Sequence, residues 1–200
     1  MARKEVLIID SGGANLASLQ FALERLGART HLSREAREIA AAPRVILPGV
    51  GSAAAAMQRL RAARLTDTLL RLTQPVLGIC LGMQLLYSAS AEGDTTCLGI
   101  LPDSVRRLES APGRPVPHMG WNQLEPVRSD PLLEGVVSND YVYFVHSYAA
   151  PASDATLATV RYGIELAAVV RQANFCGTQF HPERSAQAGA RLLANFLRLE

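Results

Sequence analysis

The sequence predicts an α/β protein built on an open, doubly wound sheet, mostly parallel, with an antiparallel extension in its C-terminal half. Three observations lead there. Up to Cys80, short apolar runs alternate with amphipathic helical stretches. Beyond it, shorter strand-like segments are divided by Pro and Gly. One apolar run leads directly into a glycine-flanked cysteine at the start of a helix. Strand–helix alternation with short connections implies right-handed crossovers and a parallel sheet covered on both faces.

The elements follow in order. Residues 5–10 (E-V-L-I-I-D) form a continuous apolar run that suits a parallel strand buried on both faces. The turn S-G-G-A leads to Asn15 as N-cap. Leu16, Leu19, Leu23 and Leu26 then recur at helical spacing, and Gly27 closes the helix. Arg29 to Leu32 is a second strand, Ser33 the N-cap of a short helix, and Pro43 its breaker. R-V-I-L supplies the third strand, and an Ala/Leu/Arg helix runs from about 52 to 72. Pro75 introduces V-L-G-I, a fourth strand ending at Cys80 and another helix. Segments 98–108, 117–127, 140–148, 156–162 and 166–180 read as the strands of the antiparallel extension, and 186–199 as a final amphipathic helix. In such sheets ligands sit at the carboxyl ends of the parallel strands.

Composition narrows the function classes. At 200 residues the chain suits one domain, 1–200, with a sizeable core. A formal charge of +2 with scattered basic residues gives no footprint for nucleic acid or a membrane surface. Three cysteines without an export-like N-terminus predict free thiols and a cytoplasmic protein. No Cys/His spacing suits zinc and no phosphate-binding loop is present, so neither a metal nor a cofactor is expected.

Residues 78–82, G-I-C-L-G, are the cysteine form of the nucleophile elbow. A nucleophile on a sharp strand-to-helix turn has a strained backbone, and the glycines two residues to either side let strand and helix approach closely. The sulfur then sits at a helix start, the setting in which cysteine works as a nucleophile. The Leu81 N–H becomes available to a developing oxyanion. A free cysteine is more commonly a buried core residue, and Cys97 and Cys176, lacking this setting, are read that way.

H-P-E at 181–183 supplies the base. Proline biases its predecessor toward extended geometry, so Glu183 can accept the imidazole N–H of His181, fix its tautomer and leave the other nitrogen for Cys80. The other three histidines fit less well. His31 and His118 lack a carboxylate nearby in sequence, and His146, in Y-F-V-H-S-Y, reads as a hydrogen-bonded core or rim residue.

P-G-V-G at 48–51, with Ala54, matches the dinucleotide-binding fingerprint G-x-G-x-x-A. That reading needs an acidic residue at the end of the next strand, where this chain has Cys80. The turn fits better as a glycine-rich segment presenting backbone N–H groups beside Cys80.

Taken together, P-G-V-G, G-I-C-L-G-M-Q and G-T-Q-F-H-P-E resemble the class I, triad-type glutamine amidotransferases across essentially the whole chain. P-G-V-G with Met57, H-M-G-W-N at 118–122 and Y-F-V-H-S-Y at 143–148 resemble the branch formed by the glutaminase subunits of imidazole glycerol phosphate synthases. The resemblance implies a flavodoxin-like fold, hydrolysis of L-glutamine, and a (β/α)8-barrel cyclase partner in a heterodimer that receives the ammonia. It implies Cys80 as nucleophile, His181 as base, Glu183 as its orienter, and Gly51 and Leu81 as oxyanion donors. Gln84 matches a glutamine-holding side chain, with His146, Ser147 and Tyr148 at the amino-acid end of the substrate, and H-M-G-W-N a stretch facing the partner. Ser11, Ala14 and Arg184 depart from the family pattern. The glutaminase of another ammonia-channelling complex, such as pyridoxal phosphate synthase, is the neighbouring alternative; a different cysteine amide hydrolase and a non-catalytic regulatory subunit are the others.

Overall fold

The computed structural model describes residues 4–10 and 16–200. Its strands are β1 (Glu5–Ile9), β2 (Arg29–Ser33), β3 (Val45–Gly49), β4 (Val76–Cys80), β5 (Tyr87–Ser90), β6 (Thr95–Thr96), β7 (Leu101–Arg107), β8 (His118–Pro126), β9 (Asp140–His146), β10 (Tyr148–Ala149), β11 (Thr156–Tyr162), β12 (Ile164–Gln172) and β13 (Phe175–Thr178). The helices are α1 (Leu16–Arg25), α2 (Ala36–Ala41), α3 (Ala53–Ala62), α4 (Thr66–Leu70), α5 (Leu81–Gln84) and α6 (Ala186–Phe196). The turn with Asn15 as N-cap lies outside the described residues.

A nine-stranded sheet runs β2-β1-β3-β4-β13-β12-β11-β8-β9. From β2 to β13 the pairs are parallel, and from β13 to β9 they are antiparallel. The expected doubly wound sheet with its antiparallel extension is therefore present. Alternate residues of the parallel strands β1, β3 and β4 enter opposite cores: Val6, Ile8, Ile46, Leu77 and Ile79 pack with α1 and α6, whereas Leu7, Ile9, Val45, Leu47 and Val76 pack with α2, α3 and α4. Burial on both faces is the reason these strands read as unbroken apolar runs.

Five expectations differ in detail. Ser33 ends β2 and is not a helix N-cap; its hydroxyl accepts the Glu35 N–H at 3.0 Å. The helix expected over 52–72 breaks at Arg64, which has φ 55°. Five residues of unbroken helix would turn Leu65 about 140° away from Leu60, and the reversal returns Leu65 and Leu69 to the same core. The helix after Cys80 is a single turn, followed by β5 and β6; these join β10 and β7, the segment expected in the antiparallel extension, in a separate four-stranded sheet where β7 pairs parallel with β5. Segment 166–180 folds back at Ala173, φ 53°, so that β13 rejoins the parallel half beside β4. The last helix ends at Phe196.

The closest backbone packing lies where β3, β4 and α5 meet. A Cβ on Gly82 would stand 1.8 Å from the Leu47 carbonyl oxygen, one on Gly78 2.7 Å from Gly82, and one on Gly49 2.6 Å from the Gly82 nitrogen. These contacts are with main chain, which no rotamer change relieves. Gly82→Ala is therefore expected to destabilise the protein by about 3 kcal/mol, the upper end for overpacking a core. Urea denaturation measures this, and a loss below about 1 kcal/mol would show that the junction yields.

Candidate active site

Cys80 closes β4 with φ 54° and ψ −111°, and it is the residue before the first turn of α5. A non-glycine residue at positive φ is strained, and such strain gathers at functional sites. The glycine clasp over-determines it here. Leu81 opens α5, so its N–H has no acceptor within the helix. The sulfur lies 3.9 Å from the Val145 carbonyl oxygen and 3.9 Å from Gln179 Nε2.

His181 follows β13 and precedes a 3-10 turn, Pro182–Arg184. Its Nδ1 bonds Glu183 Oε1 at 2.9 Å, and Cys80 is a near enough neighbour to raise its pKa. The turn is stitched to β9: the His181 N–H donates to the Tyr143 carbonyl at 3.0 Å. Ser185 Oγ accepts the Tyr143 N–H at 2.9 Å and donates to the His181 carbonyl at 2.7 Å. Glu183 Oε2 is buried with no partner among the described residues. Burial opposes a charge on His181, but the hydrogen bonds and charges of Cys80 and Glu183 outweigh it and raise the imidazole to about 10.

One cavity of about 320 Å³ collects Cys80, Leu81, Gly51, His181 and Glu183, with Pro48, Gly49, Val50, Val145 and Arg184 among its other walls. A larger open depression of about 480 Å³ between Glu5 and Pro43 contains no nucleophile. The expected triad and oxyanion residues thus meet in one place. Gly51, φ 84°, is in the left-handed region that glycine adopts without strain. Two side chains hold its loop: Arg59 Nη2 donates to the Val50 carbonyl at 3.3 Å, and Glu92 Oε2 accepts the Ala53 N–H at 2.7 Å. The first glycine of the false dinucleotide fingerprint, Gly49, is there for the clasp.

Gln84, His146, Ser147 and Tyr148, expected to hold the substrate, are not among the residues that line the cavity. Gln84 Nε2 donates to the Tyr148 carbonyl at 2.8 Å and to Gln179 Oε1 at 3.0 Å. Its own Oε1 has no donor among the described residues. His146 is buried and both its ring nitrogens are used, by the Tyr148 carbonyl at 2.9 Å and by His118 at 3.1 Å. Its ring nitrogens are therefore not free to bind a ligand. Sequence reading missed Gln179, Glu92 and Ser185. Gln179 stands inside the G-T-Q-F-H-P-E motif, but only the fold sets its amide beside the sulfur. His31 does meet a carboxylate, Glu38 at 2.9 Å, on the surface. Burial pushes Cys97 up to about 11 and Cys176 up to about 12, as befits inert core thiols.

A family model described as glutamine amidotransferase class-I matches residues 7–199. The chain belongs to this family. Among its glutamine amidotransferase relatives, "Imidazole glycerol phosphate synthase subunit HisH" of Xylella fastidiosa strain Temecula1 is 55% identical, and the protein of the same description from Xanthomonas axonopodis pv. citri strain 306 is 53% identical, each over 98% of both chains. Solved structures share the fold. A glutamine amidotransferase crystal structure has a TM-score of 0.74 at 24% identity, covering 96% of each chain. The structure of PurLQS from Thermotoga maritima has a TM-score of 0.73 at 18% identity, covering 98% of each. Among the described residues no helix is long and apolar enough to cross a membrane.

His181 sets a pH dependence for this amidotransferase. A pKa raised in the folded state contributes stability that is complete below the unfolded value, 6.5, and lost as pH rises through about 10. Cys80→Ala removes two of the raising influences. In that variant His181 is expected to titrate lower, and the stability lost between pH 6.5 and 10 to shrink. An NMR titration of the imidazole checks this; an unchanged titration contradicts the Cys80–His181 contact.

Proposed function

We propose that this chain hydrolyses L-glutamine to glutamate and ammonia through a Cys80 thioester, and delivers the ammonia to a (β/α)8-barrel cyclase as the glutaminase subunit of imidazole glycerol phosphate synthase in histidine biosynthesis. The observation that carries the chemistry is the strained Cys80 in one cavity with a His181 held by Glu183. The near-full-length likeness to HisH subunits supports the pathway and the partner. Three free thiols suit a reducing cytoplasm.

In the mechanism, the Cys80 sulfur attacks the carboxamide carbon, with the proton held on His181. The Leu81 and Gly51 N–H groups receive the tetrahedral oxyanion, each donor of this kind being worth about 10²–10³ in rate. Collapse of the intermediate breaks the C–N bond as His181 protonates the departing ammonia. His181 then takes a proton from water, which attacks the thioester, and the sulfur leaves as glutamate forms. Glu183 keeps the ring in register throughout.

The partner face lies beside this site. Met119, Trp121 and Tyr141 are exposed on the β8–β9 hairpin at 67%, 52% and 54%. Met119 pairs across the ladder with Val145, a cavity wall, and Trp121 pairs with Tyr143. The Arg184 guanidinium lies 5.1 Å over the Tyr143 ring, so the exposed aromatic face runs up to the mouth of the cavity.

Cys80→Ser and Cys80→Ala are expected to abolish glutamate release while leaving the fold intact; retention of most activity in either would rule out Cys80 as the nucleophile. Glutamate release by the isolated chain should be weak and strongly stimulated by a histidine-pathway cyclase with its ribulosyl phosphate ligand. Hydrolysis indifferent to the cyclase would point to another acceptor enzyme. Trp121→Ala should weaken cyclase binding by about 30-fold, as for a central aromatic anchor, in a calorimetric titration.

A further inference from the structure

We propose that the buried His118–His146 pair, anchored by Asn122 on β8, is a positioning device: a one-way hydrogen-bond chain that fixes the amides of Gln84 and Gln179 around the nucleophile. The inference rests on reading the cavity as a glutamine site and goes beyond it, because His118 and Asn122 touch neither the cavity nor Cys80.

The direction of the chain follows from its inner end. The Tyr148 carbonyl can only accept, so His146 Nδ1, 2.9 Å away, carries its hydrogen. In a neutral ring His146 Nε2 is then bare, and His118 Nδ1, 3.1 Å from it, must be the donor. His118 Nε2 is bare in turn and accepts from Asn122 Nδ2 at 3.3 Å. The Asn122 amide cannot turn over without loss, since its Nδ2 also donates to the Arg161 carbonyl at 3.1 Å and its Oδ1 accepts the Gln123 N–H at 2.8 Å. Both rings therefore hold the Nδ1–H tautomer. Burial pushes each imidazole down to about 4 and keeps the pair neutral; a proton added to either bare nitrogen would bring two N–H groups face to face or leave Asn122 opposed to a donor.

Beyond Tyr148 the chain reaches the chemistry. The carbonyl that terminates it also receives Gln84 Nε2 at 2.8 Å. The second hydrogen of that nitrogen goes to Gln179 Oε1 at 3.0 Å, and this turns Gln179 Nε2 toward Cys80 Sγ, 3.9 Å away. With both donors of Gln84 committed, only its Oε1 is left for substrate. The His118 ring is itself clamped, stacked on Tyr162 at 4.0 Å and Phe144 at 4.8 Å. A pair that merely filled the core would need no such sense of direction.

The test uses the chain in complex with the cyclase and its ligand, comparing wild type, His118→Leu and His118→Asn. The Asn amide nitrogen can take the place of Nδ1 as donor, whereas Leu cannot. His118→Leu is expected to raise the glutamine KM by about tenfold with kcat within about threefold, the worth of one buried hydrogen bond. His118→Asn should recover most of that loss. An unchanged KM in His118→Leu, or equal losses in both variants, would overturn the proposal. Should His118→Leu fail to fold, Asn122→Ala, at the half-buried end of the chain, replaces it, with a raised KM expected and a wild-type KM overturning. Independently, ¹⁵N NMR of histidine-labelled wild-type chain should find Nδ1–H tautomers at both His118 and His146; an Nε2–H tautomer at either overturns the chain. Wild-type inactivity toward glutamine would be a failure of the functional reading alone, and the tautomers would then decide this one.

Discussion

The tight junction of β3, β4 and α5 is the constraint on which the site depends. Gly49, Gly78 and Gly82 bring three main-chain segments closer than any Cβ would permit, and the strand-to-helix turn between them forces Cys80 to positive φ. That strain is sustained because the flanking strands are buried on both faces and cannot shift to relieve it. The result is a sulfur presented at the carboxyl end of the central parallel strand, next to β13, whose continuation carries His181.

The walls around the sulfur differ in how firmly they are held. On one side, Gln179, Gln84, the Tyr148 carbonyl and His146 form a buried network in which the polarity of each bond leaves little freedom. On the other side, the loop bearing Gly51 is tethered by an exposed Arg59 and by Glu92.

The edge of the large sheet is held by the turn that carries His181. A free edge strand exposes unpaired main-chain groups and invites association. At Tyr143 on β9 those groups are taken by His181 and Ser185, so the turn that carries His181 covers the edge. The same strand carries Tyr141 and Tyr143 toward the exposed Trp121 and Met119.

Local sequence by itself determined strands β1, β3 and β4 of the parallel sheet and singled out Cys80 and His181 as the candidate nucleophile and base. Apolar runs, glycine spacing around Cys80 and the proline of H-P-E each act within a few residues, so their physical meaning is readable without the fold. The family resemblance added Gly51, Gln84 and the partner. Tertiary structure alone decided what depends on residues far apart in the chain: the break at Arg64 that returns Leu65 to the core, the pairing of β13 with β4, and the second sheet of β5, β6, β7 and β10. It also decided which polar groups face one another. His118 and His146 are separated by 28 residues and Gln84 and Gln179 by 95, and hydrogen-bond direction, unlike hydrophobic periodicity, leaves no local trace in the sequence because it is set by whichever acceptor the fold places at the end of the chain.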